Sequence, residues 1–298
     1  MTDTNPDWAW DETLFAGAAR HYERGRLPYA PGFEQTFAEV LGLAGDAVDR
    51  GRLLDVGCGP GTIALRLAHL FGEVVGVDPD TEMLQEAARR AAEAQAHDGV
   101  ADGAGAAAKV RWVRARAEDL PLGLGMFDAA TFGNSFHWME RDRVASTVRG
   151  MLRPGGAFVH VADLHGEDRT TAGLPYPAPP QAGIRKLIES FLGTARRAGR
   201  GVLTNDSPSG EAEVLARAGF GERECYVVPG GQPLERTEDE IVAFVMSLSS
   251  SAPHLFGARL AEFEQALLAV LREASPARMF SLVQPSTEIW VWRVAEGS

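Results

Sequence analysis

Cysteine is nearly absent from this sequence, because Cys58 and Cys225 are the only two among 298 residues. Two thiols are too few for a disulfide framework or for a cysteine-ligated metal cluster. Each is typical of a small buried side chain in a reducing compartment. We therefore expect no bound metal and no disulfide.

Positive charge is also scarce, with 29 lysines and arginines against 41 aspartates and glutamates and a formal net charge of -12. The chain lacks the attraction of basic proteins for phosphate backbones and anionic lipids, so we expect neither nucleic acid nor a membrane as partner. The acidic N-terminus has no basic flank followed by an apolar run, which predicts no secretory signal and a cytoplasmic protein. The uncharged stretch from Ile241 to Ala258 holds serines, Pro253 and His254, unlike a transmembrane helix.

The middle of the sequence alternates between short apolar runs and segments of helical spacing. The runs predict strands at residues 52–57, 73–78, 110–113, 127–132 and 157–162, and helices at 62–70, 81–94 and 141–152 lie between them. Such alternation is typical of parallel βαβ units with right-handed crossovers. The fold class we predict is α/β: a doubly wound, mostly parallel, seven-stranded Rossmann-like sheet.

The prediction divides the chain into three parts: a cap, a core with one insertion, and a lid. Residues 1–50 form an N-terminal helical cap, and residues 51–229 with 288–298 form the Rossmann-like core, of which residues 164–205 are an irregular, partly helical insertion. Residues 230–287 hold two helical segments before the last strand and are too long for a hairpin connection. We expect this helical lid and the cap to cover an acceptor pocket.

A glycine-rich turn follows the first strand in the segment LLDVGCGPGT, residues 53–62. Gly57, Gly59 and Gly61 allow the backbone to approach a ligand where a side chain would collide. Asp78 ends the second strand about twenty residues later, where a carboxylate accepts hydrogen bonds from the hydroxyls of a ribose. The order of strand, turn, helix, strand and acid therefore predicts a nucleoside ligand.

The spacing of the glycines separates two classes of nucleoside. Dinucleotide-binding folds use G-x-G-x-x-G, whereas the third glycine here arrives one position early. Asp55 stands two residues before the first glycine, where it would repel phosphates but attract an ammonium group. The pattern disfavours a dinucleotide oxidoreductase and favours S-adenosylmethionine.

The motifs along this segment resemble those of the class I S-adenosylmethionine-dependent methyltransferases. They follow one another in the order of that family, at residues 53–61, 77–80, 116–121, 127–130 and 151–156. The resemblance spans roughly residues 50–163 and is greatest to the branch that contains the ubiquinone/menaquinone-biosynthesis and trans-aconitate methyltransferases. It implies S-adenosyl-L-methionine as cofactor and S-adenosyl-L-homocysteine as product.

The resemblance also assigns the cofactor-binding residues. The glycine-rich turn and the acids near it bind the methionine end and the ribose, through Asp55, Gly57, Cys58, Gly59, Gly61 and Asp78. The adenine and the floor near the methyl group are assigned to Pro79, Met83, Ala117, Glu118, Gly133 and Asn134. Plainer interpretations stay open for three of these residues: Met83 as helix core, Glu118 as a solvated loop acid and Gly61 as a packing position. Arg116 departs from the family, where many relatives carry an acid.

The N-terminal segment at residues 21–29 resembles the part of this branch that closes over the cofactor. We expect Tyr22 and Tyr29 to cover the methionine end and Arg26 to pair with a carboxylate of the cofactor or the acceptor. The alternative is a solvated helix end.

The loop after the fourth strand, GNSFHWM at residues 133–139, places an imidazole and two aromatic rings where ligands gather in open α/β sheets. Methyl transfer needs a base only if the nucleophile starts protonated, and His137 is the candidate base. A structural histidine is the alternative, and Phe136 and Trp138 are equally consistent with packing.

These observations predict an S-adenosylmethionine-dependent methyltransferase that acts on a small-molecule acceptor, in specialised metabolism. Two alternatives share the fold: a reaction other than methyl transfer that uses the same cofactor, and a non-catalytic binding subunit. The sequence leaves open whether the protein is a monomer or a homodimer, and whether oxygen, nitrogen or carbon is methylated.

Overall fold

The computed structural model describes residues 13–43, 51–98, 109–164, 170–194, 197–198, 201–202 and 210–295. The chain divides into two compact units. The sheet unit comprises Tyr29–Glu167, Pro208–Gly230 and Pro285–Ser298, and the helical unit comprises Met1–Pro28, Asp168–Ser207 and Gly231–Gln284.

The described residues form eleven strands and nine α-helices. The strands are β1 (Arg52–Val56), β2 (Glu73–Asp78), β3 (Lys109–Arg114), β4 (Phe127–Gly133), β5 (Leu152–Asp163), β6 (Arg197–Ala198), β7 (Gly201–Val202), β8 (Glu224–Val228), β9 (Pro233–Thr237), β10 (Met279–Val283) and β11 (Thr287–Arg293). The helices are α1 (Ala19–Gly25), α2 (Phe33–Leu41), α3 (Thr62–Leu67), α4 (Thr81–Asp98), α5 (Arg141–Met151), α6 (Gln181–Leu192), α7 (Glu211–Arg217), α8 (Glu238–Met246) and α9 (Leu260–Ala274).

Seven strands of the sheet unit form one sheet in the order β3-β2-β1-β4-β5-β11-β8. Strands β1 to β5 pair in parallel, and β11 is antiparallel to both β5 and β8. The predicted α/β fold class, a mostly parallel seven-stranded Rossmann-like sheet, is confirmed. Strand β1 ends at the centre of the sheet, so the glycine-rich turn after it lies where the strand order reverses, which is where ligands bind in such folds.

Apolar clusters cover both faces of this sheet. On one face Phe132 and Phe158 stack with ring centroids 4.2 Å apart, among fully buried residues that include Val144 of α5 and Leu215 of α7. On the other face Phe33 and Phe37 of α2 pack with residues of β1, β2 and α3. The predicted cap at residues 1–50 is therefore divided between the two units, because these two phenylalanines join the core of the sheet.

Two parts of the secondary structure differ from the prediction. Strand β5 begins at Leu152 rather than at residue 157, because Leu152 pairs with Phe127 before a register shift that precedes Ala129. Strands β9 and β10 were not predicted, and they pair antiparallel to each other within the helical unit. Pro233 in β9 pairs with Val283 at the end of that ladder, a position where proline is tolerated.

The helical unit has its own apolar core around Phe256, Phe263 and Phe280, which are flanked by α6, α8 and α9. Helix α1 packs closely on α8, since a Cβ atom at Gly25 would lie 2.4 Å from the backbone of Ala243. Among the described helices none alone is long and apolar enough to cross a membrane. The two segments Glu238–Met246 and Ser249–Ala274 reach that length and composition only when they are taken together, and the chain bends by 100° between them.

Candidate functional site

The glycine-rich turn is held against its neighbours by backbone hydrogen bonds. The amides of Gly57 and Cys58 donate to the carbonyl oxygen of Val77 at 2.8 and 3.1 Å. Gly57 has φ of +66°, and a Cβ atom there would lie 2.6 Å from Cβ of Ser135. Glycine is required at this position because the loop after β4 packs directly on the turn.

Asp78, at the end of β2, has a buried carboxylate that reaches this turn. Its Oδ2 accepts from the amide of Gly59 at 2.8 Å, and its Oδ1 accepts from the amide of Asp80 at 2.9 Å. Burial raises the pKa of Asp78 to about 6, against the lowering effect of these two hydrogen bonds. Each carboxylate oxygen has a second lone pair, so two ribose hydroxyls can still be accepted.

Gly59 faces open space. Its φ is +52°, and no atom lies within 4 Å of the position that a Cβ would take. The missing side chain is therefore not explained by packing. The carboxylate of Asp78 bonds the amide of this same residue, so an uncovered backbone surface and a buried acceptor meet at one point.

Asp55 is 1% exposed, and both of its carboxylate oxygens have partners inside the unit. Oδ2 accepts from the amide of Ala64 in α3 at 3.1 Å, and Oδ1 accepts from the hydroxyl of Thr131 at 2.8 Å. Burial, helped by the nearby charge of Asp78, raises the pKa of Asp55 to about 7. Because the side chain of Asp55 is buried, it can act on the methionine end of a cofactor only through its electric charge.

Two residues of the turn have structural explanations. A Cβ atom at Gly61 would lie 2.6 Å from Cη2 of Trp112, so packing alone accounts for this glycine. Cys58 is buried, and its Sγ lies 3.0 Å from where a Cβ of Gly76 would be. Burial raises the pKa of this thiol well above its ordinary range.

The residues assigned to the adenine side differ in their surroundings. Pro79 is half-buried, whereas Met83 and Ala117 are buried, and Ala117 belongs to one of the two core clusters of the sheet. The carboxylate of Glu118, expected to read the adenine amino group, instead accepts from the amide of Glu140 at 2.9 Å and lies 3.4 Å from Nε of Arg116. Its side chain therefore fixes the start of α5, and its role toward adenine stays a prediction.

The floor assigned to the methyl group lies at the end of β4. A Cβ atom at Gly133 would lie 2.5 Å from Cδ1 of Ile63 and 3.3 Å from the hydroxyl of Tyr29. Asn134 is exposed with φ of +52°, and its amide donates to the carbonyl oxygen of Val161. The structure thus places Tyr29 next to Gly133, whereas in the sequence only the resemblance assigned both residues to the cofactor site.

His137 lies in a 3-10 turn after β4, half-buried, with its ring centroid 4.5 Å from that of Trp138. Burial lowers its pKa to about 4, and the charge of His160 acts in the same direction. The imidazole is therefore neutral at physiological pH but is a weak proton acceptor. Phe136, beside it, is fully buried against Phe158.

Tyr22 and Arg26 belong to the helical unit. The guanidinium of Arg26 lies 4.8 Å from the centre of the Tyr22 ring and donates to the carbonyl oxygen of Ser247, at the end of α8. Its Nε is buried without a hydrogen-bond partner. Within its own unit Arg26 therefore contacts a helix end rather than a carboxylate.

Several functional contacts had no signal in the sequence. The hydroxyl of Ser135 donates to the carbonyl oxygen of Val56 at 2.6 Å, which fastens the loop after β4 to β1. His160 and Glu211 pair at 2.7 Å although they are 51 residues apart. Only the register of β5 and the start of α7 bring them together, and neither follows from a local pattern.

The residues present fit an adenosyl cofactor with an amino-acid tail. The fit rests on the open surface at Gly59, the buried acceptor Asp78 and the buried acid Asp55 at the end of β1. The spacing of the glycines and the buried acid beside the turn do not suit a pyrophosphate. Among the described residues, no group of three histidine, cysteine or acidic side chains is arranged to hold a metal ion.

Comparisons with known proteins match the part of the chain that contains this site. Residues 54–160 match the family described as "Methyltransferase domain". A protein of Mycobacterium bovis named as an uncharacterized methyltransferase is 34% identical over 142 residues, which cover 48% of this chain and 49% of that protein. An uncharacterized methyltransferase of a Synechocystis species is 32% identical over 138 residues, or 45% of this chain and 57% of its own.

The chain spans about half the length of the curated relatives it matches. Among solved structures, the YcgJ protein of a Bacillus species aligns with 88% of this chain and 99% of its own, at 18% identity and a TM-score of 0.47.

Proposed function

We propose, from the membership of residues 54–160 in the class I S-adenosylmethionine-dependent methyltransferases, that the whole chain transfers a methyl group to a small-molecule acceptor. The family match confirms the resemblance to methyltransferases but not its branch, and it supports S-adenosylmethionine as cofactor. The matched residues include the glycine-rich turn, Asp78 and the loop after β4. They also include β5 as far as His160.

One observation carries the proposal: the carboxylate of Asp78 is buried at the end of β2 and bonded to the amide of Gly59, whose side-chain position is open. A buried acid normally costs free energy unless it binds a partner. A ribose that donates two hydroxyl hydrogens to Asp78 would lie over Gly59, which explains both features together.

The other residues have separate tasks in holding the cofactor. Above its pKa of about 7 the carboxylate of Asp55 is ionised and attracts the ammonium group of the amino-acid tail, and Gly57 keeps the turn against Ser135. Gly133 and Tyr29 form the floor below the reacting group. When bound, the cofactor supplies a sulfonium-activated methyl group and leaves as S-adenosylhomocysteine.

A small-molecule acceptor is supported by the charge of the chain. A net charge of -12 opposes binding to the phosphate backbone of nucleic acids. The carboxyl ends of β4 and β5 lie beside the turn after β1, and second substrates of open α/β sheets approach from this side. We expect the acceptor among the small molecules of specialised metabolism.

Two measurements on the purified protein test the proposal. Calorimetry should detect S-adenosylhomocysteine binding at one site per chain, with Asp80→Asn, which keeps its helix-capping oxygen, as the charge control. A panel of small hydroxyl, amine and carbon nucleophiles, incubated with S-adenosylmethionine, should show acceptor-dependent release of S-adenosylhomocysteine. Absence of binding would refute the proposal, and binding without release from any acceptor would favour a non-catalytic or non-transferring protein.

A further inference from the structure

A histidine and a glutamate form a buried pair on the sheet unit. Nδ1 of His160, on β5, lies 2.7 Å from Oε2 of Glu211, the first residue of α7. The two side chains are 10% and 14% exposed. A carboxylate has no proton to give, so Nδ1 is the donor, and in the neutral imidazole the lone pair then lies on Nε2.

Within the described part of the chain, two ring nitrogens at this pair, one of them on His160 itself, have no hydrogen-bond partner. Nε2 of His160 and Nε1 of Trp290, on β11, are both buried and unpaired. The two rings are neighbours, with centroids 5.5 Å apart and planes at 79°. Buried polar atoms in native proteins are nearly always hydrogen-bonded, so two orphans side by side indicate a site for a missing group.

These rings lie toward the carboxyl ends of the strands. His160 is the register partner of Phe132 on β4, and the next pair along the ladder is Gly133 with Val161. The amide of Asn134 donates to the carbonyl oxygen of Val161, which ties the floor of the cofactor site to the residue after His160. The backbone of His160 therefore lies at the same end of β4 and β5 as Gly133, and its side chain shares the face of the sheet with Phe132 and Trp290.

The chemistry of the two orphans restricts their partner. The indole nitrogen of Trp290 only donates, and Nε2 of a neutral His160 only accepts. A hydroxyl group donates one hydrogen bond and accepts another, so it satisfies both atoms, as an uncharged amine would. A carboxylate would meet the lone pair of His160 with another lone pair, and an ammonium, the main form of an alkyl amine at neutral pH, would leave the indole unpaired.

We propose that His160 and Trp290 bind the hydroxyl group of the methyl acceptor, with Glu211 as positioning residue, so that the protein methylates oxygen. The inference rests on the proposed function and specifies its acceptor. When the hydroxyl oxygen forms its bond to the methyl carbon, the bond from that carbon to sulfur breaks and its electron pair stays on sulfur. The O–H bond breaks as well, and its proton passes to Nε2 of His160. The resulting imidazolium is paired with the carboxylate of Glu211.

The neighbouring groups favour His160 over His137 as the proton acceptor. The charge of Glu211 also raises the pKa of His137, but burial outweighs it and lowers that pKa to about 4. Glu211 contacts His160 directly, at 2.7 Å, and there it can stabilise the positive charge that the imidazole gains. The guanidinium of Arg223 lies 5.0 Å from the centre of the Trp290 ring, which adds a positive charge beside an oxygen that loses its proton.

Nuclear magnetic resonance on the wild-type protein saturated with S-adenosylhomocysteine tests the site without turnover. The probes are phenol and benzyl alcohol, with benzoate, benzylamine and toluene as matched compounds that lack a hydroxyl. The two hydroxyl probes should shift the Trp290 indole N–H resonance and the His160 ring resonances, and the other three should not. No shift with either hydroxyl probe, or equal shifts with benzoate or benzylamine, would overturn the proposal.

Variants assign the resonances and separate the roles. Trp290→Phe and His160→Gln identify the two signals, and each should abolish the response of the other to phenol. Glu211→Gln should move the His160 ring nitrogens toward a mixture of tautomers, which a merely structural role would not require. Glu213→Gln on the same helix and His69→Gln on the same unit are the matched controls, and both should respond to phenol like the wild type.

The outcomes separate this inference from the proposed function. If S-adenosylhomocysteine does not bind to the wild type, the proposed function fails first. If it binds and the hydroxyl probes leave both resonances unmoved, only the inference fails. With a hydroxyl acceptor from the panel, His160→Gln should lower kcat on the order of 10²-fold and leave the Kd for S-adenosylhomocysteine unchanged. An amine acceptor with full turnover in His160→Gln would contradict the proposal.

Discussion

Asp78 accepts a 2.8 Å hydrogen bond from the amide of Gly59, so one carboxylate both fixes the glycine-rich turn and faces the space above it. The contact links the end of β2 to the turn after β1, two neighbouring strands of the sheet. Any ligand that bonds Asp78 is thereby placed over the turn. The charge and the hydrogen bonds of Asp78 can therefore be tested by measuring the affinity for S-adenosylhomocysteine.

The first prediction concerns removal of this carboxylate. Asp78→Ala should weaken S-adenosylhomocysteine binding by about 1.5–3 kcal/mol, or roughly 10- to 150-fold in Kd, because charge-assisted hydrogen bonds to the ribose are lost. Calorimetry measures the change, with thermal unfolding to verify the fold. Asp80→Asn removes a charge two residues away and should change Kd less than about threefold. Equal affinity in Asp78→Ala and the wild type would show that the acid does not contact the ligand.

The second prediction concerns pH. Burial raises the pKa of Asp78 to about 6, and only its ionised form accepts two ribose hydroxyls with full strength. The affinity for S-adenosylhomocysteine should therefore fall as the pH drops below 6, by at most about tenfold per unit. Calorimetry between pH 5 and 8 measures this limb. Asp78→Asn should lose it, whereas Asp55→Asn should retain it; a limb that survives in Asp78→Asn belongs to another group.

How much of this could be predicted from the sequence depends on the range of the contacts. The bounds of β2 were predicted to the residue, because the run EVVGVD is apolar and ends in an acid before proline. The turn and Asp78 were found together because strand, turn, helix and strand are consecutive in the chain. Local order thus gave both the fold class and the cofactor end of the site.

The remaining contacts depend on long-range register. The pairing of Thr131 with Asp55 requires β4 to lie beside β1, and that of His160 with Glu211 requires α7 to begin beside β5. Glu118 was assigned to adenine because its motif matched, but the start of α5 engages its carboxylate. No local pattern distinguishes an acid that caps a helix from one that binds a ligand.

The third prediction concerns Asp55 and stability. Folding raises its pKa from the ordinary 3.8 to about 7, so the folded chain holds this proton more tightly than the unfolded chain. The stabilising contribution is fully present below pH 3.8 and is lost as the pH rises through 7, with a slope of at most about 1.4 kcal/mol per pH unit. Asp55→Asn should remove this loss in urea unfolding measured from pH 5 to 8.

The asparagine fits the same partners. Its oxygen accepts from the amide of Ala64, and its nitrogen donates to Thr131, whose hydroxyl already lies 3.4 Å from the carbonyl oxygen of Leu54. Glu213→Gln, an exposed acid on α7, is the control. The assignment is wrong if Asp55→Asn and the wild type keep a constant difference in unfolding free energy across this range.

The fourth prediction compares two glycines of the turn. Both have positive φ, so alanine at either position costs about 1–2 kcal/mol of backbone strain. Gly61→Ala adds a collision with Trp112, whereas Gly59→Ala meets no atom. Gly61→Ala should therefore lower the unfolding free energy by about 1–3 kcal/mol more than Gly59→Ala. Gly59→Ala should instead weaken S-adenosylhomocysteine binding at least tenfold, about 1.4 kcal/mol. The reverse ranking in both assays would exclude Gly59 from the ligand surface.

The last prediction concerns the protonation of His137. Burial, together with the charge of His160, lowers its pKa from the ordinary 6.5 to about 4, so the folded chain binds this proton more weakly than the unfolded chain. The stability that it contributes is present above pH 6.5 and is lost as the pH falls through 4. In a magnetic resonance titration the Cε1–H signal that disappears in His137→Gln should stay constant from pH 8 to 5.5 and move only near pH 4. His69→Gln, which removes an exposed imidazole of the same unit, verifies that the lost signal is specific to position 137.

Because a group this acidic takes up protons poorly at neutral pH, His137→Gln should lower turnover less than about tenfold, with no change in the shape of the pH profile between 6 and 8. A titration midpoint between 6 and 7 would reverse this conclusion and return His137 to the position of general base.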